Sequence, residues 1–223
     1  MQNPWCEKET LLPFSSPTTI LISGATQSGK TCFTKRLLSC ADAMFTIPPS
    51  KVIYAYSEYQ PIFDEMLNTV PNFILHQGLP NREEVEHYSE GSDHTILILD
   101  DMMLKIGKSE DCVHLFTVTS HHRNITVLFL SQNLYPPGKY SRTISLNCHN
   151  VILFKNFRDT RQVISFGSQI LPGKPRFFNS IYEAATKINY GYLHICLEPN
   201  QKREYQFRTN IFPGEDMIVY QPQ

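Results

Sequence analysis

The chain runs to 223 residues, 41% of them hydrophobic, which suits one globular α/β domain and leaves a second full domain cramped. A net charge of -1 argues by itself neither for nor against nucleic acid, while the 18% charged fraction hints at surface covered by a partner or by further copies of the chain. No apolar run approaches the ~18 residues of a membrane span, no signal peptide opens the sequence, and six cysteines without a CxxC pair imply reduced thiols in cytosol, nucleus or virus particle, a non-secreted setting.

Residues 1–17, with Pro4, Pro13 and Pro17, read as an irregular N-terminal arm ahead of a domain over 18–223. Residues 18–23 are short, apolar and β-branched, as a buried parallel strand requires. A glycine-bearing turn and a helix over 31–44 follow, then a strand over 51–56, a short helix over 61–67 and a strand over 72–76. The acidic stretch 81–88 predicts a helix, and 94–99 is the clearest buried strand in the chain. A helix over 109–120 should turn Val113, Phe116 and Thr117 to one side. Residues 125–130 and 150–154 complete the core strands, and 192–197 with 204–209 predict a C-terminal strand pair. Strands alternating with helices imply a mostly parallel central sheet covered by helices on both faces.

Gly24, Ala25, Thr26, Gln27, Ser28, Gly29, Lys30 and Thr31 fit G-x-x-x-x-G-K-[ST] in full, between the first strand and the first helix. The glycines let the backbone bend so that successive amides point inward at phosphate oxygens, and the helix behind them adds a partial positive charge. Lys30 should reach the β and γ phosphates of ATP, and the Thr31 hydroxyl should ligate Mg²⁺. The strand over 94–99 ends in Asp100 and Asp101. At the C-terminal edge of a parallel sheet Asp100 can join Thr31 in the magnesium shell, and Asp101 can orient or deprotonate the attacking water. A helix N-cap is the plainer use of such a pair.

The next core strand ends in Ser131-Gln132-Asn133, and Gln132 is preferred over Asn133 as a sensor of the γ-phosphate or holder of the lytic water. An arginine lent by a neighbouring subunit can stabilise the transition state; Arg123 stands just before that strand, with Arg142, Arg158 and Arg161 as rivals. Charge is uneven along the chain. Residues 57–113 carry 12 acidic and 3 basic side chains, and residues 139–176 carry 7 basic against Asp159 alone. Such a run can face a polyanion or can be a set of separate solvated faces. His121-His122 and Cys148-His149 lack the spacing of a zinc quartet, and the aromatics are read as core rather than as base-stacking platforms.

Taken in order, the loop 24–31, Leu97-Ile-Leu-Asp-Asp101, Arg123 before an apolar strand and Ser131-Gln-Asn133 resemble the FtsK–HerA superfamily of DNA-pumping ATPases. Within it the chain is most similar to the genome-packaging ATPases of poxvirus-like large DNA viruses, virophages and Polinton (Maverick) elements, over roughly residues 18–170, with Val151-Ile-Leu-Phe-Lys-Asn-Phe-Arg-Asp159 fitting as well. The resemblance implies a RecA-like P-loop core that forms a homo-oligomeric ring, hydrolyses ATP and drives double-stranded DNA into a capsid, with capsid proteins as partners. It further implies that Arg123 is the finger acting in trans, and a host cytoplasm or nucleus, with virion association, as location. Asp101 departs from the more common glutamate, and no segment matches a DNA-gripping pore loop. A nucleoside or nucleotide kinase, with Arg158 and Arg161 on a lid, and a nucleotide-binding assembly protein without turnover are the competing readings.

Overall fold

A computed structural model describes residues 12–222; residues 1–11 of the expected arm lie outside the described residues. The chain begins with strand β1 (Thr19–Ser23), helices α1 (Lys30–Ser39) and α2 (Ala41–Met44), and strand β2 (Lys51–Tyr56). Helix α3 (Ile62–Thr69), β3 (Phe73–Gln77), α4 (Arg82–Ser89) and β4 (Thr95–Asp100) follow. Next come α5 (Met103–Ile106), α6 (Glu110–His114) running through a π-helical turn (Leu115–Thr119) into α7 (Ser120–His122), and β5 (Ile125–Ser131). Then α8 (Ser141–Leu146) leads to β6 (Asn150–Phe154), α9 (Thr160–Ile170) and α10 (Pro175–Ala185). Strands β7 (Tyr192–Cys196), β8 (Phe207–Thr209) and β9 (Ile218–Tyr220) end the chain.

These strands make one nine-stranded sheet in the order β3-β2-β4-β5-β1-β6-β7-β8-β9. The first six in that order are parallel and the last three antiparallel. The side-chain period of two feeds two cores: in β4, Leu97 and Leu99 join one and Ile96 and Ile98 the other. Phe33 and Leu37 of α1, Met44 of α2 and Phe63 and Met66 of α3 close the second face. The first is closed by α4, α5, α6 and α8 to α10, through residues such as Val85, Ile106, Cys112, Ile144, Phe166 and Phe178. Among the described residues no helix is long and apolar enough to cross a membrane.

Four local expectations need correction. The helix over 31–44 breaks at Cys40, because residues 44–46 turn to meet the arm: the Phe14 amide donates to the Met44 carbonyl at 2.8 Å and the Thr46 amide to the Phe14 carbonyl at 2.9 Å. Phe14 is thereby buried, so the end of the arm belongs to the core. In the helix over 109–120 the π-helical turn adds a residue to one turn and moves the buried side to Cys112, Leu115, Phe116 and Thr119, leaving Val113 and Thr117 only partly covered. Strands β7 and β8 do pair, but β8 starts at Phe207, after a short 3₁₀ turn, and β9 adds a third antiparallel strand. Helices α9 and α10 were not anticipated, although both carry start signals: Asp159 accepts from the Gln162 amide at 3.2 Å, and Pro175 opens α10. Gly167 lets them touch, since a Cβ there would fall 2.1 Å from Cδ1 of Phe178.

Candidate active site

Parallel strands deliver their C-terminal ends to one edge, and the order β4-β5-β1 sets the loops after these three strands side by side. Ser23 is in register with Ser131, and the Gly24 amide donates to the Ser131 carbonyl at 3.2 Å. Asp100 stands opposite Leu130 in the neighbouring ladder. The end of β5 therefore lies between the glycine-rich loop and the acidic pair.

The loop is shaped by two glycines. A Cβ on Gly24 would meet Ser28 Oγ at 2.5 Å and Phe154 Cβ at 2.6 Å, so only glycine fits. Gly29, at φ 107°, caps α1 in the left-handed region, which a side chain rarely tolerates. No side chain caps α1, so its first amides remain open to an outside acceptor. The Lys30 ammonium lies within the loop, donating to the carbonyls of Gly24 at 2.8 Å and Ala25 at 3.0 Å. Burial pushes its pKa down, against the pull of Asp100 and Asp101. Among the described residues, Ser28 Oγ is buried with no hydrogen-bond partner.

Asp100 is buried at the end of β4, and its Oδ2 accepts from the Tyr54 hydroxyl at 2.7 Å. Tyr54 comes from β2, opposite Ile98. Its phenol anchors Asp100 at the wall of the cavity that Thr31 also lines. Burial raises the pKa of Asp100, with the Tyr54 hydrogen bond opposing. Desolvation likewise raises the Tyr54 phenol well above its ordinary value, so it stays a donor. An all-oxygen pair beside phosphate-directed amides fits Mg²⁺, which takes one or two protein oxygens and completes its shell with phosphate and water.

Asp101 has φ 55°, and this left-handed turn parts it from its neighbour. Its exposed carboxylate accepts from Gln132 Nε2 at 3.3 Å, and its carbonyl accepts from the Ser57 hydroxyl at 3.0 Å. Asn133 is engaged elsewhere: its carbonyl accepts from Ser131 Oγ at 2.8 Å and its amide group reaches Met103 Sδ at 3.9 Å. Of the two polar residues after β5, Gln132 faces the acidic pair.

A cavity of about 570 Å³ opens on this edge, lined by Thr26, Gln27, Gly29, Lys30, Thr31, Asp100 and Asp101 together with Gln60, Pro61, Ile62 and Tyr190. Gly24, Ala25 and Ser28 do not line it: the Gly24 and Ala25 carbonyls accept from Lys30, and Gln132 touches the site only through Asp101. Arg123 does not come to this site. It follows α7 at the start of β5, on the opposite edge, where Nη2 lies 3.5 Å from Glu86 Oε2. Arg142, Arg158 and Arg161 do not line the cavity either. All seven cations of 139–176 are exposed, but the run divides. Lys139, Lys155 and Arg158 follow β5 or β6 on the cavity edge, whereas α9 carries the chain back, so that Lys174 and Arg176 lie at the far edge. Tyr54 and Tyr190 are the residues that sequence reasoning missed. The one available signal was a hydroxyl on a buried apolar strand, which must find a partner.

No protein-family model matches the chain, and none of the curated proteins matches it. Solved structures do. The genome packaging NTPase B204 from Sulfolobus turreted icosahedral virus 2 in complex with ATP-gammaS superposes with a TM-score of 0.60 at 11% identity, over 92% of this chain and 98% of that one. The same protein with AMPPCP gives 0.58 at 11% identity, over 93% and 98%. The crystal structure of B204, the DNA-packaging ATPase from Sulfolobus turreted icosahedral virus, gives 0.59 at 11% identity, over 93% and 99%. At this identity the likeness establishes the fold: an α/β P-loop NTPase fold with a mostly parallel sheet between helices.

Proposed function

We propose that the chain is an ATP-hydrolysing DNA translocase that packages double-stranded viral or transposon DNA into a capsid. The observation that carries the nucleotide half is the convergence of Lys30 and Thr31 of the loop, the Tyr54-anchored Asp100 and the Asp101–Gln132 pair on one sheet edge. Loop amides from 24–31 and the Lys30 ammonium hold the β and γ phosphates. Thr31 and Asp100 would hold a Mg²⁺ ion, which when bound would neutralise charge building on the phosphate oxygens. Asp101, fixed by Gln132, orients the attacking water and accepts its proton. The water oxygen bonds to the γ-phosphorus as the bond to the bridging β–γ oxygen breaks, releasing ADP and phosphate.

Support for Arg123 acting in trans is its separation from its own site. The seven residues of β5 stand between, roughly 20 Å at ~3.3 Å per residue, beyond the reach of one side chain. In a homo-oligomeric ring the same arginine can complete a neighbour's site. For the DNA half the support is the described activity of B204 and the exposed cations Lys139, Lys155 and Arg158 on the cavity edge, which suit backbone phosphates rather than bases. Such a motor works in host cytoplasm or nucleus, docked on capsid proteins. A kinase needs arginines over the phosphates, and no arginine lines the cavity.

Phosphate release by the purified chain, with and without duplex DNA and beside Lys30→Ala, tests the proposal, with native mass recorded in parallel. DNA-stimulated release that Lys30→Ala abolishes, from a ring-sized species, is the expected result. Phosphate transfer to a nucleoside without DNA stimulation marks a kinase, and ATP binding without release marks an assembly protein; either outcome ends the translocase reading.

A further inference from the structure

Tyr190 has a backbone and a position that packing does not explain. It ends the turn between α10 and β7, which the Gly191 amide closes by donating to the Ile188 carbonyl at 3.1 Å. Its φ is 61°, in a region that bulky residues rarely occupy, and it is 70% exposed. Such outliers persist where the surrounding structure holds them, and they concentrate at ligand sites. The ring lies flush against the phosphate loop: a Cβ on Gly29 would stand 2.9 Å from Tyr190 Cδ1. Gly29 is therefore needed twice, once for its backbone angle and once to admit the ring. Among the described residues lining the cavity, Tyr190 is the only aromatic one.

The direction of the ligand follows from the groups at the other end. Asp100 and Asp101 stand at the end of β4 and share the cavity with Thr31, so the last phosphate of a nucleoside triphosphate points that way. In the order β4-β5-β1-β6-β7, Tyr190 enters β7, on the far side of the loop. The base trails away from the last phosphate, toward that ring. We infer that Tyr190 is the platform on which the nucleobase stacks, with purines favoured by their larger face. This rests on the nucleoside-triphosphate reading of the site.

The test compares ATP with inorganic tripolyphosphate, which has the phosphates and no base, by calorimetric titration of the full chain. Tyr190→Gly deletes the ring while accepting the left-handed backbone, Tyr190→Trp keeps a platform, and Lys30→Ala removes the phosphate grip. The expected outcome is a loss of about 5- to 150-fold in ATP affinity for Tyr190→Gly, with tripolyphosphate affinity unchanged. Tyr190→Trp retains ATP binding, and its added indole changes emission with ATP but not with tripolyphosphate. Equal losses for both ligands in Tyr190→Gly would make the ring a buttress of the loop and overturn the inference. So would unchanged ATP affinity with an altered native mass, which would assign the ring to a subunit contact. If Lys30→Ala binds both ligands normally, the phosphate site itself is wrong, a failure distinct from that of Tyr190.

Discussion

Replacing Tyr54 with phenylalanine removes one oxygen and leaves the ring, which packs 4.8 Å from Phe63 and 6.0 Å from Phe73 between centroids. The core should therefore survive, while Asp100 loses the 2.7 Å hydrogen bond that stabilises its charged form. A hydrogen bond to a charged group contributes about 1.5–3 kcal/mol, and partners that orient a metal's ligands typically matter by about 10- to 100-fold in metal affinity. The Mg²⁺ requirement for ATP turnover should rise by that factor, with metal-free nucleotide binding unchanged. The pH dependence is also set. Burial holds the pKa of Asp100 above its unfolded value, so the folded chain keeps this proton longer, and stability falls as pH rises through that window. Metal affinity moves oppositely, rising over the same window because Mg²⁺ takes the carboxylate. In Tyr54→Phe the midpoint of that rise should shift to higher pH. The assay is a magnesium titration of phosphate release from mildly acidic to neutral pH, beside metal-free ATP binding. A wild-type magnesium profile, or a parallel loss of metal-free binding, would refute the positioning role of Tyr54.

Three further outcomes are expected. Asp101→Asn should lower kcat by roughly 10²–10⁴-fold with little change in KM for ATP, and Gln132→Ala should act in the same direction but less; a KM effect alone would remove both from the chemical step. Rings made wholly of Arg123→Ala should lose about 10³–10⁵-fold in turnover, and mixed rings should lose activity in proportion to the wild-type sites with a mutant neighbour; normal turnover by pure mutant rings rejects the finger. Gly167→Ala should destabilise the fold by about 1–3 kcal/mol in urea denaturation, because its methyl meets the Phe178 ring; unchanged stability would mean that α9 and α10 separate freely.

What could be read from the sequence was what local pattern encodes. The six fully buried residues of β4 announce a central strand, and the phosphate loop, Asp100–Asp101 and Gln132 are contiguous signals that the structure brings to one edge. What stayed hidden depends on strand order and on contacts distant in the chain. Nothing in residues 51–56 says that β2 lies beside β4, so the Tyr54 hydroxyl looked like one more core aromatic, although its partner is 46 positions away. The placement of β5 between β1 and β4 has no sequence signature either, and it is what sets Gln132 against Asp101. The basic run is contiguous in sequence, but α9 carries Lys174 and Arg176 to the other edge. The acidic N-cap of α9 was visible, but no helix was assigned after it, because the exposed Phe157 and Ile164 blur the apolar period there.

Strand β5 has one more consequence. All seven of its residues are buried and it is laddered on both sides, to β1 and to β4, so it cannot slide or stretch without breaking backbone bonds along its length. One end leads into the glutamine beside the acidic pair and the other begins just after the arginine that faces outward. A strut held this firmly obliges its two tips to shift together, so in the proposed ring a change at one subunit's pocket would also re-aim the arginine offered to the next.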